Sequence, residues 1–310
     1  MADKPARGPE TPDPGELRRF LLESQPLRGQ WVRLGAAWHE LRAYRKYPPP
    51  VEALLGEVAA AAVLLAATLK FDGTLTLQLA GSGRVRLLVA QCSDDFRLRA
   101  VAHHDLADHE APGFTALVGA GRLTVTVQSE KSNARYQGIV PLDGANLALC
   151  LENYFASSEQ LPTRLLLAAD ANQAGGLLLQ KLPGDTAGGE VAGAQLQETW
   201  EELQTGLAGL SHEALLTNPS DQSVRQVAGA HDCRLFGPTT VIFKCRCSAQ
   251  RVADVLRSLG AAEAHATLAE QGAIQVRCEF CGRDYRYDAV DVEQLFAAEV
   301  TVQQGTDTVN

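Results

Sequence analysis

Thr74-Leu75-Thr76-Leu77-Gln78-Leu79, then Gly81-Ser82-Gly83, then Val85-Arg86-Leu87-Leu88-Val89-Ala90, is the stretch that sets the fold class. Leucine at every second position gives the first segment one apolar face, and the glycine-rich turn returns the chain into a second extended run, so the stretch reads as a β-hairpin. The same grammar recurs in Leu123-Thr124-Val125-Thr126-Val127-Gln128 and in Tyr136-Gln137-Gly138-Ile139-Val140-Pro141-Leu142. Two further runs, Arg164 to Ala169 and Gly175-Gly176-Leu177-Leu178-Leu179-Gln180, complete a sheet, with a helix predicted from about Asn146 to Ser157. Upstream, Val51 to Lys70 is too apolar all round for a surface helix and is predicted to lie buried against that sheet. Leu17, Phe20, Leu21, Trp31, Leu34, Trp38 and Leu41 fall mostly three or four apart and predict helices, broken near Pro26 and ended by Tyr47-Pro48-Pro49-Pro50. Hairpins with helices set apart indicate an α+β fold: a sheet-and-helix core domain over 16–180, behind a Pro-rich, disordered tail over 1–15.

A chain of 310 residues with 45% hydrophobic content is long enough for about two domains. Its longest charge-free run in the N-terminal half, Val58 to Leu69, is short of the roughly 20 apolar residues of a membrane span. The polar N-terminus lacks the apolar stretch of a secretory signal, so the expectation is a cytoplasmic protein without a membrane partner. The formal net charge of -9 argues against a nucleic-acid partner, whose phosphates call for a basic surface. From Cys233 onward there are eight Lys or Arg against ten Asp or Glu, so a zinc-ribbon reader of nucleic acid is disfavoured there too.

After Pro183 the composition changes. Residues 181–232 read as a helical linker, acidic and interrupted by Gly184, Gly188, Gly189, Gly193, Gly206 and Gly209. Within it Leu196, Trp200, Leu203, Leu207 and Leu210 alternate spacings of four and three and define one apolar helical face. That face either packs on the core domain or belongs to a metastable helix whose surface becomes available to partners. The glycines, at roughly 1 kcal/mol each, make marginal stability reasonable.

The remaining segment, 233–310, holds Cys245 and Cys247 in a Cys-x-Cys pair and Cys278 and Cys281 in a Cys-x-x-Cys pair. Two close thiol pairs on separated turns can supply the four soft donors of a tetrahedral Zn²⁺ site, and Gly282 permits the tight turn of a zinc knuckle. Alternate residues of an extended segment share a face, which sets Cys245 beside Cys247 after the strand-like Thr240-Val241-Ile242-Phe243. Between the pairs, a helix is predicted from Arg251 to Leu259 with Val252, Val255, Leu256 and Leu259 inward, then a helix over Ala264 to Leu268 and a strand over Ala273 to Arg277. A module this small has a marginal core, so removing the metal is expected to unfold it, and oxidation removes the donors directly.

Other reactive residues read as structural. Cys150 is assigned to the core, Cys92 beside Ser93-Asp94-Asp95 is compatible with exposure and is left without a role, and Cys233 has no place in the two pairs. His103-His104-Asp105 with His109-Glu110 reads as a solvated loop, and Ser158, without a nucleophile elbow, as part of a turn. No Gly-x-x-x-x-Gly-Lys-Ser/Thr nucleotide loop occurs.

Nearly the whole chain resembles the redox-regulated 33-kilodalton heat-shock chaperone family. The resemblance is carried by Ala67-Thr68-Leu69-Lys70-Phe71-Asp72-Gly73, Arg135-Tyr136-Gln137-Gly138, Tyr154-Phe155-Ala156-Ser157-Ser158-Glu159-Gln160-Leu161-Pro162-Thr163-Arg164, Gly175 to Gln180, Phe243-Lys244-Cys245-Arg246-Cys247 and Cys278-Glu279-Phe280-Cys281-Gly282. It implies an ATP-independent holdase of the oxidative stress response, not an enzyme, that is zinc-bound and inactive when reduced. Oxidants would expel zinc, form the disulfides Cys245–Cys247 and Cys278–Cys281, and unfold the zinc module and linker. Unfolding client proteins would then bind, and the oxidised form would be a homodimer. The alternative is a thiol–disulfide oxidoreductase using Cys278-Glu279-Phe280-Cys281, which would tolerate Cys245→Ser where a four-thiolate site would not.

Overall fold

Two strands stand where the first helices were predicted. In this computed structural model, which describes residues 13–132, 134–183 and 189–303, β1 (Gly15–Leu22) and β2 (Leu27–Arg33) pair antiparallel ahead of α1 (Ala36–Arg42) and α2 (Pro49–Thr68). Residues 1–12 of the expected tail and 184–188 of the linker lie outside the described residues. The misreading has a physical cause. Leu17, Val32 and Leu34 join a core built around α2, while Phe20, Leu22, Leu27 and Trp31 join a second core. Neighbours of opposite parity on a strand point to opposite faces, so burying both faces leaves gaps such as Leu17 to Phe20 that imitate helical spacing.

The hairpin predicted from Thr74 to Ala90 is present. β3 (Gly73–Gly81) and β4 (Val85–Ser93) pair with Leu77 opposite Ala90, and β5 (Arg97–His104) follows. A short α3 (Phe114–Val118) precedes β6 (Gly121–Ser129) and β7 (Arg135–Pro141). Next come α4 (Leu147–Tyr154), N-capped by Asn146 Oδ1 accepting from Leu149 N, and a π-helical turn at Phe155–Glu159. β8 (Thr163–Ala169) and β9 (Ala174–Lys181) form the last predicted hairpin. His103 and His104, read as loop, are the end of β5. Asp105 and Glu110 are taken up by ion pairs with Arg84 and Arg86.

α2 is the centre of the larger core. Its prolines Pro49 and Pro50 occupy the first turn, where a missing N–H costs nothing, and Leu54, Leu55 and every residue from Val58 to Ala67 are buried. It packs against β2, β3, β4, β5, β8 and β9, as a helix apolar on all sides must. By length and composition α2 would also cross a bilayer, with mean hydropathy 1.8, but 78% of that window is buried inside the protein. Cys150 is in this core as expected; Cys92 is too, at 0% exposed, because it faces inward on β4 rather than sitting in the loop beyond it.

Three helices follow the sheet: α5 (Gly189–Ala208), α6 (His212–Thr217) and α7 (Ser220–Ala228). The chain then returns as β10 (Cys233–Leu235), paired with β1, and β11 (Thr239–Phe243), which runs parallel to β5 and antiparallel to β1. The sheet order is β7-β6-β3-β4-β5-β11-β1-β2-β9-β8, with β10 beside β1. The chain therefore divides into compact units at Lys244/Cys245 rather than at 232/233, because the strands after the linker are hydrogen-bonded into the first unit's sheet.

The second unit, Cys245–Asn310, contains α8 (Ala249–Leu259), α9 (Ala261–Gln271), the hairpin β12 (Ile274–Arg277) and β13 (Asp284–Tyr287), and α10 (Ala289–Gln303). Among the described residues its hydrophobic cluster consists of six buried residues: Ala253, Leu256, Ala264, Ile274, Val292 and Leu295. Val255 and Leu259, expected inward, are 57% and 60% exposed. α8 turns Val252, Ala253 and Leu256 inward instead, so the i, i+4 pair Val255 and Leu259 lies on another ridge.

Candidate metal and redox centre

The β12–β13 hairpin holds one half of the site. Cys278 N donates to Arg283 O at 2.9 Å and Gly282 N to Cys278 O at 2.8 Å, closing a tight turn in which Gly282 has φ 62°, a conformation that suits glycine. The other half is the extended segment before α8, where Cys245 and Cys247 are two residues apart and Ser248 caps the helix through Oγ accepting from Arg251 N at 3.2 Å. Together they bring the four sulfur atoms within 4.8 Å of one another. The Cys245 and Cys278 sulfurs are 3.6 Å apart and those of Cys247 and Cys281 3.3 Å.

Sulfurs bound at about 2.3 Å around a tetrahedral ion lie roughly 3.8 Å from one another, so these thiols fit a four-thiolate shell with little movement. The donor set is uniformly soft, which suits a thiophilic cation and not a hard one such as Mg²⁺. Among the described residues this is the one cluster of three or more His, Cys, Asp or Glu close enough to share a metal ion, and it contains the four cysteines picked out by spacing.

The thiols are electrostatically unequal. Burial pushes Cys245 and Cys281 up. At Cys247 burial acts in the same sense, but the Tyr285 hydroxyl and the other three thiols favour its thiolate and bring it down to about 7. Tyr285 Oη is shielded from solvent with Cys247 and the Arg283 guanidinium as its polar neighbours, so it is placed to donate to a Cys247 thiolate. Spacing did not single out Tyr285; the signal was the alternation Asp284-Tyr285-Arg286-Tyr287, which puts it on a face opposite Arg286.

All seven cysteines are free thiols. Cys233 is not part of the cluster: it sits on β10 opposite Leu22, half-buried, and burial raises its thiol. Trp200, Leu203, Leu207 and Leu210, on and just after α5, are at most 5% exposed, and Leu196 is partly buried beside them. They pack with Phe20, Leu22, Leu27, Trp31, Leu177 and Leu179 of the sheet. Polar contacts add to this seat: Arg164 Nε donates to Gln204 Oε1 at 2.8 Å, Arg33 Nη1 to Asn218 O at 3.1 Å, and Ser220 Oγ to Glu16 Oε1 at 3.2 Å. The sheet half of this contact was hidden in the sequence by the misread β1 and β2.

Comparison with known proteins agrees with the fold. The family model described as Hsp33 protein matches residues 15–288. The 33 kDa chaperonin of Pseudomonas paraeruginosa is 45% identical over 284 residues, covering 91% of this chain and 94% of the relative. That of Nitrosococcus oceani is 41% identical over 284 residues, covering 92% and 95%. The crystal structure of the 33 kDa chaperonin (heat shock protein 33 homolog) of Thermotoga maritima superposes with a TM-score of 0.78 at 21% identity, covering 92% of this chain and 99% of that one, and so shares the fold. With a family model matched over most of its length and a relative 45% identical over 91% of it, the chain belongs to the Hsp33 family of chaperones.

Proposed function

We propose that this chain is a redox-regulated, ATP-independent holdase whose zinc is held by Cys245, Cys247, Cys278 and Cys281. The observation that carries the reading is the convergence of four thiols within 4.8 Å in a unit whose hydrophobic cluster, among the described residues, has six buried members. So small a core makes the fold of the unit depend on the ion, because structural Zn²⁺ contributes on the order of 10 kcal/mol to folding. Bound zinc would cross-link the knuckle to the segment before α8. Two equivalents of a peroxide would take two electrons from each thiol pair, form the Cys245–Cys247 and Cys278–Cys281 S–S bonds, and leave as water. In the structure the Cys245 sulfur lies 3.6 Å from that of Cys278 and the Cys247 sulfur 3.3 Å from that of Cys281, so closing each pair on itself would exchange these contacts across the site for bonds within each half.

Loss of the second unit would remove the folded context that follows β11, and the linker helices would leave the sheet. Leu196, Trp200, Leu203, Leu207 and Leu210 and the sheet residues beneath them, Phe20, Leu27, Trp31 and Leu177, would then face unfolding client proteins. A cytoplasmic location, homodimerisation of the oxidised form, and the absence of catalysis and of nucleic-acid or membrane partners belong to the same reading. Its test compares suppression of a thermally unfolding client's light scattering by reduced, zinc-loaded and by peroxide-treated protein, with zinc release and far-UV circular dichroism followed together. Suppression should appear only after oxidation, with zinc loss and helix loss in step; equal suppression by both forms, or zinc loss without loss of structure, refutes it.

A further inference from the structure

Away from the thiols, the first unit contains a cavity of about 310 Å³ at the C-terminal end of α2, about twice the roughly 150 Å³ that suffices for benzene in an apolar protein cavity. Leu65, Phe71, Val125, Val127, Leu151 and Phe155 give it an apolar body. Its polar groups are few and unequal. Glu159 Oε1 accepts hydrogen bonds from both Tyr136 Oη at 2.5 Å and Tyr154 Oη at 2.7 Å, so that side of its carboxylate is engaged by the two tyrosines and not by Arg28. Arg28 is half-buried, and its Nε and Nη2 donate to Gln180 Oε1 at 3.0 and 2.5 Å and its Nη2 to Thr68 O at 3.3 Å. No carboxylate among the described residues pairs with it, and Arg19 is the charge that bears on it. A guanidinium cannot relieve burial by losing its proton, so an uncompensated one beside an apolar cavity favours an anion. Lys70 adds a second positive charge to the lining.

We infer that this cavity binds a small amphiphilic carboxylate, its apolar tail among Leu65, Val125, Val127 and Leu151 and its head group on Arg28 with Lys70 near by. The volume takes a tail of roughly eight to ten carbons. Arg28 also ties β2 to the last turn of α2 through the Thr68 carbonyl, and that tie leaves Nη1 for the ligand. The inference is independent of the redox reading, since every lining residue lies in the first unit.

Isothermal titration calorimetry of the reduced, zinc-loaded chain with decanoate and with decanol tests it. Decanoate should bind one-to-one with a Kd on the order of 10 μM, and decanol at least about tenfold more weakly. Arg28→Met, which keeps the aliphatic stem, should erase the preference for the acid. Lys70→Glu, an exposed change that leaves folding intact, should weaken decanoate several-fold and spare decanol. Val127→Phe should weaken both by filling the cavity. No saturable binding, equal affinity for acid and alcohol, or decanoate affinity indifferent to both charge variants overturns the assignment.

Discussion

Leu203→Ala tests how the linker is held. Leu203 is 1% exposed on α5 and shares its core with Trp200 and Leu207 of the same helix and with Phe20, Leu27, Trp31 and Leu177 of the sheet. Truncation of a buried leucine costs about 2–5 kcal/mol, the upper part of the range applying where neighbours cannot collapse. Here the neighbours are two tryptophans and strand side chains on a paired sheet, which relax little. The gain in helix propensity from Leu to Ala is a few tenths of a kcal/mol at most. The docked state should therefore lose a factor of roughly 30 to 5,000 against the undocked one. If linker release exposes the client surface, reduced and zinc-loaded Leu203→Ala should bind a hydrophobic dye and suppress client aggregation without oxidant, while retaining its zinc. A variant that is globally destabilised by this amount yet binds no dye and stays inactive until oxidised would refute the reasoning, because the linker would then unfold only with the whole first unit.

The linker's glycines should separate by sign. Gly193→Ala meets nothing within 4 Å and should stabilise α5 by about 0.5–1 kcal/mol, demanding more oxidant for activation. Gly206→Ala would set a Cβ 2.5 Å from the Val227 carbonyl oxygen, pushing α5 off α7 and lowering the oxidant needed; a matched peroxide titration that moves both variants the same way contradicts this. Cys247→Ser should weaken zinc binding at least about 100-fold and, like a strong chelator, abolish the helicity of the second unit in far-UV circular dichroism; retained zinc at one equivalent counts against the four-thiolate site. Glu57 on α2 is pushed up to about 7 by burial. A carboxyl raised in the folded state stabilises most below its unfolded value near 4.5, and the benefit is lost as pH rises through 7. Since Glu57 keeps a partial opening to solvent, the effect is discounted to about 1–3 kcal/mol, so Glu57→Gln should gain that much on the parent between pH 5 and pH 8 in urea unfolding; parallel pH profiles would refute it.

The family signature and the donor set were both readable before the fold. Cys245, Cys247, Cys278 and Cys281 stand out by spacing alone, since sulfur chemistry needs no tertiary context to be recognised and the turns that carry it are local. The hairpins from Thr74 to Leu142 were legible for a similar reason: they alternate with one face buried. β1 and β2 were not, because a strand covered on both faces loses its period of two, and what covers the second face is α5 to α7, over 150 residues later in the chain. The burial of Cys92 was not legible because it depends on which face of β4 it shares with α2, not on the aspartates next to it in sequence. By itself, then, the sequence determined the donor chemistry of the four-thiol cluster, the class of fold and the apolar stripe of the linker, all properties of near neighbours along the chain. Only the tertiary structure decided that the stripe is seated on a sheet face, that β10 and β11 return the chain to the first unit, and that Cys245 meets Cys278 and Cys247 meets Cys281 across the site. Those depend on contacts between distant segments, whose free energy is set by shape and burial on both sides at once and is written in neither segment alone.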